Sequence, residues 1–230
     1  MQKVLAMWLL LAASSGAQPE VSPTQVVQTA TEQVLQVVQD GQLAAPVAQD
    51  QRRLEVQRIA DRLFDFQEMS RRSLALHWRE RTPQEQAEFV AVFKQLLGRA
   101  YIGRLENYSG EQIVYLSEHV DGEFATVRSK IVTGRGAEIP VDYRLHQVGP
   151  RWVVYDVAVS GVSFVANYRG QFDKIIRSSS YAALMRDLKA KYAEMTGRAA
   201  APVVAPAVVA PAVVAPPVVA PVVAPASKNP

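Results

Sequence analysis

The sequence predicts an α+β domain in which helices come first, a four-stranded antiparallel meander follows, and helices return at the end. Three observations support this prediction. Apolar residues recur at helical spacing before residue 106, four apolar segments joined by short turns occupy residues 112–159, and helical spacing resumes at Ser163. Because helices and strands form separate blocks rather than alternating, the strands are expected to pair antiparallel.

The first helices are predicted from the spacing of their apolar residues. A second helix is expected over residues 46–63 with Leu54 and Ile59 facing inward, and a short third helix is expected to bury Met69 and Leu74. The first helix, which ends at Gly41, carries its apolar face on Val27, Ala30, Val34, Val37 and Val38.

The fourth helix has a clear start. Thr82 is suited to the N-cap, Pro83 to the first helical position, and Glu85 to the capping box. Its apolar side chains form a wide stripe, which is expected to lie against a sheet. The stripe consists of Phe89, Val92, Phe93, Leu96, Leu97, Ala100, Tyr101 and Leu105.

Four strands are predicted at residues 112–119, 123–133, 138–147 and 151–159. Asp121-Gly122 suits a type I′ hairpin turn, while residues 134–136 and 148–150 are expected to form longer turns. The third strand has one apolar and one polar face, so one side of the sheet is expected to be buried. Its apolar face holds Ile139, Val141, Tyr143 and Leu145, and its polar face holds Asp142, Arg144 and His146.

The fourth strand differs because both of its faces are apolar. Such a strand is covered on both sides or lines an apolar cavity. Its two alternating sets are Val153, Tyr155, Val157, Val159 and Trp152, Val154, Asp156, Ala158. After the turn at Ser160-Gly161, a helical segment is expected over residues 163–195, with a break around residues 178–180.

The two ends of the chain have compositions unlike that of a folded domain. Lys3, an apolar run over residues 4–13 and the small residues Ser15 and Ala17 predict a signal peptide, residues 1–17, cleaved before Gln18. An uncleaved anchor is the alternative, although the run is short for a membrane span. The sequence contains no cysteine, so we expect neither lipoprotein anchoring nor disulfides.

Residues 199–230 repeat A-P-A-V-V with small variations and contain eight of the fourteen prolines, which precludes a continuous helix. In an extended, polyproline-like form this tail would reach roughly 100 Å at ~3.1 Å per residue. It is interpreted as a disordered extension without a specific partner, or as a spacer or binding segment for the cell wall.

The charge of the remaining domain, residues 18–198, is nearly balanced. It holds all 22 acidic and 23 of the 25 basic residues, which argues against a general nucleic-acid binder. Local basic pairs at Arg52-Arg53 and Arg71-Arg72 fit solvated helix faces or a docking surface for a membrane complex or acidic headgroups. The three histidines lack metal-ligand spacing, and no nucleophile elbow, P-loop or dinucleotide motif is present, so neither a metal, a cofactor nor enzymatic activity is expected.

Four motifs, in order, resemble those of the Mla-type periplasmic phospholipid-binding proteins, the MlaC or toluene-tolerance family, which includes a hopanoid-associated branch. Together they cover roughly residues 18–196. The elements are F-D-x-x-x-M-S at residues 64–70, W-R…T-P-x-E-Q…F…F at residues 78–93, Y-x-x-x-L at residues 101–105, and W-x-V-Y-D-V-x-x-x-G-V-S-x-V-x-N-Y-R-x-Q-F at residues 152–172.

The resemblance implies a periplasmic carrier that moves phospholipid between the inner and outer membranes, with its acyl chains buried between sheet and helices. It further implies two partners, an inner-membrane ABC lipid transporter and an outer-membrane lipoprotein complex. The residues expected to contact lipid are Phe93, Leu97, Tyr101, Leu105, Tyr143, Trp152, Val154, Phe164, Tyr168 and Phe172. The alternatives are an envelope adaptor that acts through its proline-rich tail, and a small-ligand enzyme on a similar fold.

One charged pair has two interpretations. Asp156 lies in an apolar strand, where a carboxylate requires a partner, and Arg169 on the following helix could supply it. The pair is then a structural ion pair. Alternatively, Arg169 contacts the phosphate of the bound lipid.

Overall fold

The computed structural model describes residues 21–40, 49–102, 108 and 110–197. The predicted signal peptide, the proline-rich tail, Pro46, Gly41 and Leu105 lie outside the described residues. The helices are α1 (Pro23–Gln39), α2 (Gln49–Leu63), α3 (Phe66–Leu74), a 3₁₀ helix (Ala75–Glu80), α4 (Pro83–Ile102), α5 (Phe164–Ser178) and α6 (Tyr181–Gly197). The strands are β1 (Gln112–Asp121), β2 (Phe124–Val132), β3 (Glu138–Val148), β4 (Arg151–Val159) and β5 (Val162–Ser163).

The start of α4 confirms the predicted capping box. The backbone N–H of Thr82 donates to Oε2 of Glu85 over 2.8 Å, and the backbone N–H of Glu85 donates to Oγ1 of Thr82 over 3.2 Å. These bonds satisfy N–H groups that have no partner within the helix, and the bond from the Thr82 backbone keeps the pKa of Glu85 below its ordinary value. The predicted break before the last helix is also confirmed, since α5 ends at Ser178 and α6 begins at Tyr181.

The prediction for the inward face of α2 was wrong in one residue. Ile59 is buried as expected, but Leu54 is 58% exposed, and Val56 occupies the buried stripe instead. Residues 54 and 59 are five positions apart, which rotates them by about 140° around a helix of 3.6 residues per turn. A narrow buried stripe cannot include both positions.

The sheet is an antiparallel meander in the order β1-β2-β3-β4-β5. Its four long strands confirm the predicted meander, and β5 adds a two-residue strand that the sequence did not predict. This strand exists because both residues of the Ser160-Gly161 turn have positive φ, the feature of a type I′ hairpin, which folds the chain back onto β4.

The turn between β1 and β2 differs from the prediction. Asp121 pairs with Phe124, so the loop consists of Gly122 and Glu123, and of these two residues Gly122 alone has positive φ. Positive φ at the first loop position is the feature of a type II′ turn rather than type I′. The predicted longer turn at residues 148–150 is likewise a two-residue loop, because Val148 pairs with Arg151.

Strand β4 is buried on both faces, as its composition predicted, but its side chains do not alternate strictly. The register shows a β-bulge at Tyr155, which has no counterpart between Arg144 and Leu145 of β3. An extra residue shifts the alternation of side chains along a strand. As a result one face carries Trp152, Val154, Val157 and Val159, and the other carries Val153, Tyr155, Asp156 and Ala158.

The buried apolar residues form two separate cores. The sheet core lies on the face of β2, β3 and β4 that α1 and α2 cover. The helical core lies among α3, α4, α5 and α6. The buried side chains of α4 belong to the helical core and pack on α3, α5 and α6, so the expectation that its apolar stripe lies against the sheet was wrong. Its width reflects contact with several helices instead.

Candidate functional site

The boundary between the two cores is formed by aromatic side chains. Phe64, which follows α2, packs against both cores, and its backbone pairs with Val154 of β4. The ring of Tyr101 at the end of α4 stacks on the ring of Phe164 at the start of α5, with centroids 5.0 Å apart. Tyr101 packs on the helical core and Phe164 on the sheet core, so this pair also joins them.

Large side chains on the helix-covered side of the sheet are incompletely buried. A tightly packed layer leaves such residues with almost no accessible surface, whereas these retain some although α1 and α2 lie over them. The helices therefore do not close completely on the sheet. The partly accessible apolar side chains at the sheet core are Val26, Leu63, Phe64, Tyr115, Ile131, Tyr143 and Phe164.

Tyr143 gives the clearest indication of an internal space. Burial, with a smaller contribution from Tyr115, raises the pKa of the Tyr143 phenol far above its ordinary value, so protein surrounds this side chain. Tyr143 nevertheless retains solvent-accessible surface and lies on a central strand. A side chain that is largely enclosed yet partly accessible indicates incomplete packing beside the sheet core.

The neighbouring Tyr115 ties the edge of the sheet to the first helix. Its hydroxyl donates to Oγ1 of Thr31 on α1 over 3.1 Å, and burial raises its pKa as well. At the start of the same helix, the backbone N–H of Thr24 donates to Oε2 of Glu118 over 2.7 Å. These two bonds anchor α1 to β1. They therefore close the β1 side of the gap between α1 and the sheet.

Comparison with known proteins assigns this architecture. Residues 28–190 match the protein family described as "MlaC protein". The chain belongs to the MlaC family. The toluene tolerance protein Ttg2D of Pseudomonas putida is 34% identical over 95 residues, which are 41% of this chain and 44% of that relative. The match therefore spans less than half the length of Ttg2D.

A solved structure resembles the fold over most of its length. A phospholipid-binding protein from Ralstonia solanacearum, crystallised with a phospholipid, superposes with a TM-score of 0.64 at 25% identity. The match covers 74% of this chain and 97% of that protein. The α+β architecture is thus the MlaC fold, as the sequence motifs predicted.

The structure separates the residues that were expected to contact lipid into two groups. Phe93, Tyr168 and Phe172 form an interlocked aromatic cluster, with Phe93 edge-on to the other two rings at centroid distances of 5.0 and 5.4 Å. Each is at most 1% exposed, so these side chains belong to the closed helical core. Leu97 also lies in that core, while Trp152 and Val154 are buried in the sheet core.

The second group is only partly buried and consists of Tyr101 and Phe164, which join the two cores, and Tyr143, which packs on the sheet core. To these the structure adds Phe64, Tyr115 and Ile131, which the sequence analysis missed. Ile131 could have been found from the alternation of β2, because it shares a face with Val127. The position of Phe64 depends on contacts between distant segments and leaves no such local signal. Contact of either group with lipid stays a prediction.

The partner of Asp156 is Arg144, and the prediction that Arg169 pairs with it was wrong. Nη1 of Arg144 lies 3.0 Å from Oδ2 of Asp156, the Ser163 hydroxyl donates to the same oxygen over 2.6 Å, and the backbone N–H of Val165 donates to Oδ1 over 3.0 Å. Among the described residues Arg169 is not one of its partners, and its side chain is exposed. The bulge at Tyr155 turns Asp156 towards Arg144. Through its bonds to Ser163 and Val165, the same carboxylate fixes the start of α5 to the sheet.

The two arginines of the basic pair on α3 share one carboxylate, that of Glu68. Nε of Arg72 donates to Oε1 of Glu68 over 2.7 Å, and Arg71 binds the same carboxylate. The hydrogen bond from Arg71 is the main cause that holds the pKa of Glu68 below its ordinary value. The Arg72 guanidinium also lies over the ring of Tyr155 at 4.1 Å, so this residue ties α3 to β4.

Two kinds of feature are absent from the described part of the chain. Within it, no group of three or more histidine, cysteine, aspartate or glutamate side chains could hold a metal ion. No helix in the same ranges is both long and apolar enough to cross a membrane.

Proposed function

We propose that this protein is a periplasmic carrier that moves phospholipid between the inner and outer membranes as the soluble component of an ABC-type lipid transport system. In this proposal residues 1–17 direct export and are removed, residues 18–198 bind the lipid, and residues 199–230 are a disordered tail. The partners are an inner-membrane ABC transporter complex and an outer-membrane lipoprotein complex. Enzymatic activity is not part of the proposal.

The observation that carries the proposal is the gap between the sheet and its covering helices, where apolar side chains such as Tyr143 are incompletely buried. Acyl chains would enter this gap, bordered by Tyr101, Phe164 and Ile131. The bound phospholipid of the Ralstonia solanacearum protein, which shares this fold, supports the same occupant here. Arg169, being exposed near the start of α5, stays a candidate for headgroup contact.

The energetics suit a shuttle. Two acyl chains contain roughly 30 methylene groups, and exposing them to water costs about 24 kcal/mol at ~0.8 kcal/mol each. An enclosed apolar site removes most of this barrier. Because the site and the bilayer are both apolar, transfer between them is close to neutral, so the direction of transport depends on the partner complexes.

Organic extraction of the purified mature protein tests the proposal. We expect a diacyl phospholipid at about one molecule per chain, detected by mass spectrometry and phosphate analysis. A natively folded protein that yields no lipid, even after incubation with vesicles, would show that the gap is not a lipid site. Release of a hopanoid instead would identify the cargo as that of the hopanoid-associated branch.

Removal of the tail, residues 199–230, is expected to leave folding and lipid binding unchanged. The tail carries one charge and no aromatic residue, and its regularly spaced prolines prevent it from adding a helix or a central strand. The measurement is a thermal melt and the lipid content of the truncated protein beside those of the full mature chain. A melting temperature lower by several degrees, or a loss of lipid, would show that the tail packs on the domain.

A further inference from the structure

A leucine projects from the surface directly after α3. Leu74 is fully buried, whereas Leu76 is 81% exposed, more than any other large apolar side chain that the structure describes. The residue between them, Ala75, has a φ of 49°, in the left-handed region that residues other than glycine seldom adopt. This conformation turns the chain outward, and such strained positions persist where surrounding contacts enforce them.

The segment that carries Leu76 is firmly attached to the domain. Nε2 of His77 lies 2.9 Å from Oδ1 of Asp173 on α5. Trp78 packs on the helical core, and its backbone oxygen accepts a hydrogen bond from Nε2 of Gln86 over 3.0 Å. Leu76 is therefore held in its exposed position by the contacts of the two residues that follow it.

Basic side chains lie on the segments that flank this leucine and on α5, which contacts the adjacent His77. Arg71 lies one turn before Ala75 on α3, and Arg79 follows on the 3₁₀ helix. On α5, Arg177 lies 3.6 Å from Asp173, the aspartate that also contacts His77, and Lys174, the residue after Asp173, is exposed. Three acidic residues lie nearby, and each contacts a basic side chain. Glu68 contacts Arg71, Glu80 contacts Arg81, and Asp173 contacts Arg177. The surface as a whole has an excess of positive charge.

We propose that the Leu76 surface, defined as Leu76 with Arg71, Arg79, Lys174 and Arg177, docks the protein onto an anionic phospholipid bilayer. The inference rests on the proposed carrier function, because a lipid carrier has to approach a membrane. A projecting leucine fits a bilayer, which needs no preformed pocket to receive it. The basic residues of this surface are attracted to anionic headgroups at the same time.

Vesicle sedimentation tests this proposal with the lipid-loaded mature full-length chain. The protein is mixed at low salt with sucrose-loaded vesicles of phosphatidylcholine alone, or of phosphatidylcholine with phosphatidylglycerol. We expect sedimentation with the anionic vesicles, weakening as salt is added, and little with the zwitterionic ones. Equal binding to both vesicles, or none to the anionic vesicles, would overturn the proposal, and the latter would favour an acidic protein as the partner of this surface.

Matched variants locate the contact. Leu76→Glu is expected to reduce partitioning about tenfold or more, since it removes the apolar side chain that would enter the bilayer and adds a charge that anionic headgroups repel. Leu116→Glu alters a leucine on β1 that is 58% exposed and should change little. Arg177→Glu should also weaken binding, whereas Arg58→Glu, another exposed arginine paired with a carboxylate one turn away, should not. A greater effect of Arg58→Glu would place docking on α2 and overturn the assignment.

Lipid content separates this proposal from the carrier function. Leu76 lies outside the gap, so the Leu76→Glu variant should release as much phospholipid on extraction as the wild type. Wild-type protein that holds lipid but does not sediment with anionic vesicles would refute the docking surface and leave the carrier intact. Wild-type protein without lipid would refute the carrier whatever its sedimentation.

Discussion

Replacing Phe164 with glutamate is expected to empty the folded domain of phospholipid. Phe164 is partly accessible. Its ring stacks on Tyr101 of the helical core and packs on the sheet core, so it lies where the two cores meet. A carboxylate there would have to lose its hydration against acyl chains, at a cost of several kcal/mol, so lipid content should fall about tenfold or more. The fold should survive, because Phe164 is the first residue of α5, where the helix dipole favours an acidic side chain.

Two other phenylalanines provide controls for this substitution. Phe172→Glu should prevent folding, because Phe172 is fully buried in the helical core and a charge there has no partner. Phe124→Glu should change neither stability nor lipid content, since Phe124 is 47% exposed and lies outside the two cores. The measurements are a thermal melt and extracted lipid per chain. A folded Phe164→Glu variant with a full complement of lipid would show that the acyl chains lie elsewhere.

The Asp156→Ala substitution is expected to cause the largest loss of stability among polar changes that spare the apolar cores. It removes a buried carboxylate from Arg144 and leaves the Ser163 hydroxyl and the Val165 N–H without their acceptor. We expect a loss of about 3 kcal/mol, moderated because Arg144 is nearly half exposed and can hydrate. For a domain of this size, the melting temperature should fall by roughly 6–12 °C.

Asp173→Ala is the matched control for Asp156→Ala. Asp173 also contacts two basic side chains, His77 and Arg177, but it is 45% exposed, and exposed ion pairs contribute at most about 1 kcal/mol. The two variants are compared by chemical denaturation under identical conditions. Equal losses of stability would mean that the buried Asp156 contributes no more to the free energy of unfolding than an exposed ion pair.

Much of the fold could be predicted because local interactions specify it. The Thr82–Glu85 capping box, the break before Tyr181 and the antiparallel meander depend on residues close in sequence, and all three are confirmed. The composition of β4 predicted two apolar faces, either covered on both sides or lining a cavity, and most residues of both faces are buried. The family followed from motifs whose order the chain preserves, and the match over residues 28–190 confirms it.

The chain by itself thus determined the α+β class, the order of the elements and the family. The tertiary structure decided which aromatic side chains close the helical core and which border a gap, since Phe93 and Tyr101 lie on the same helix with similar composition around them. It also decided the partner of Asp156, because the bulge at Tyr155 reverses the alternation that the sequence pattern assumes. In each case the deciding contact joins segments far apart in the chain. The spacing of residues within one segment therefore cannot predict it.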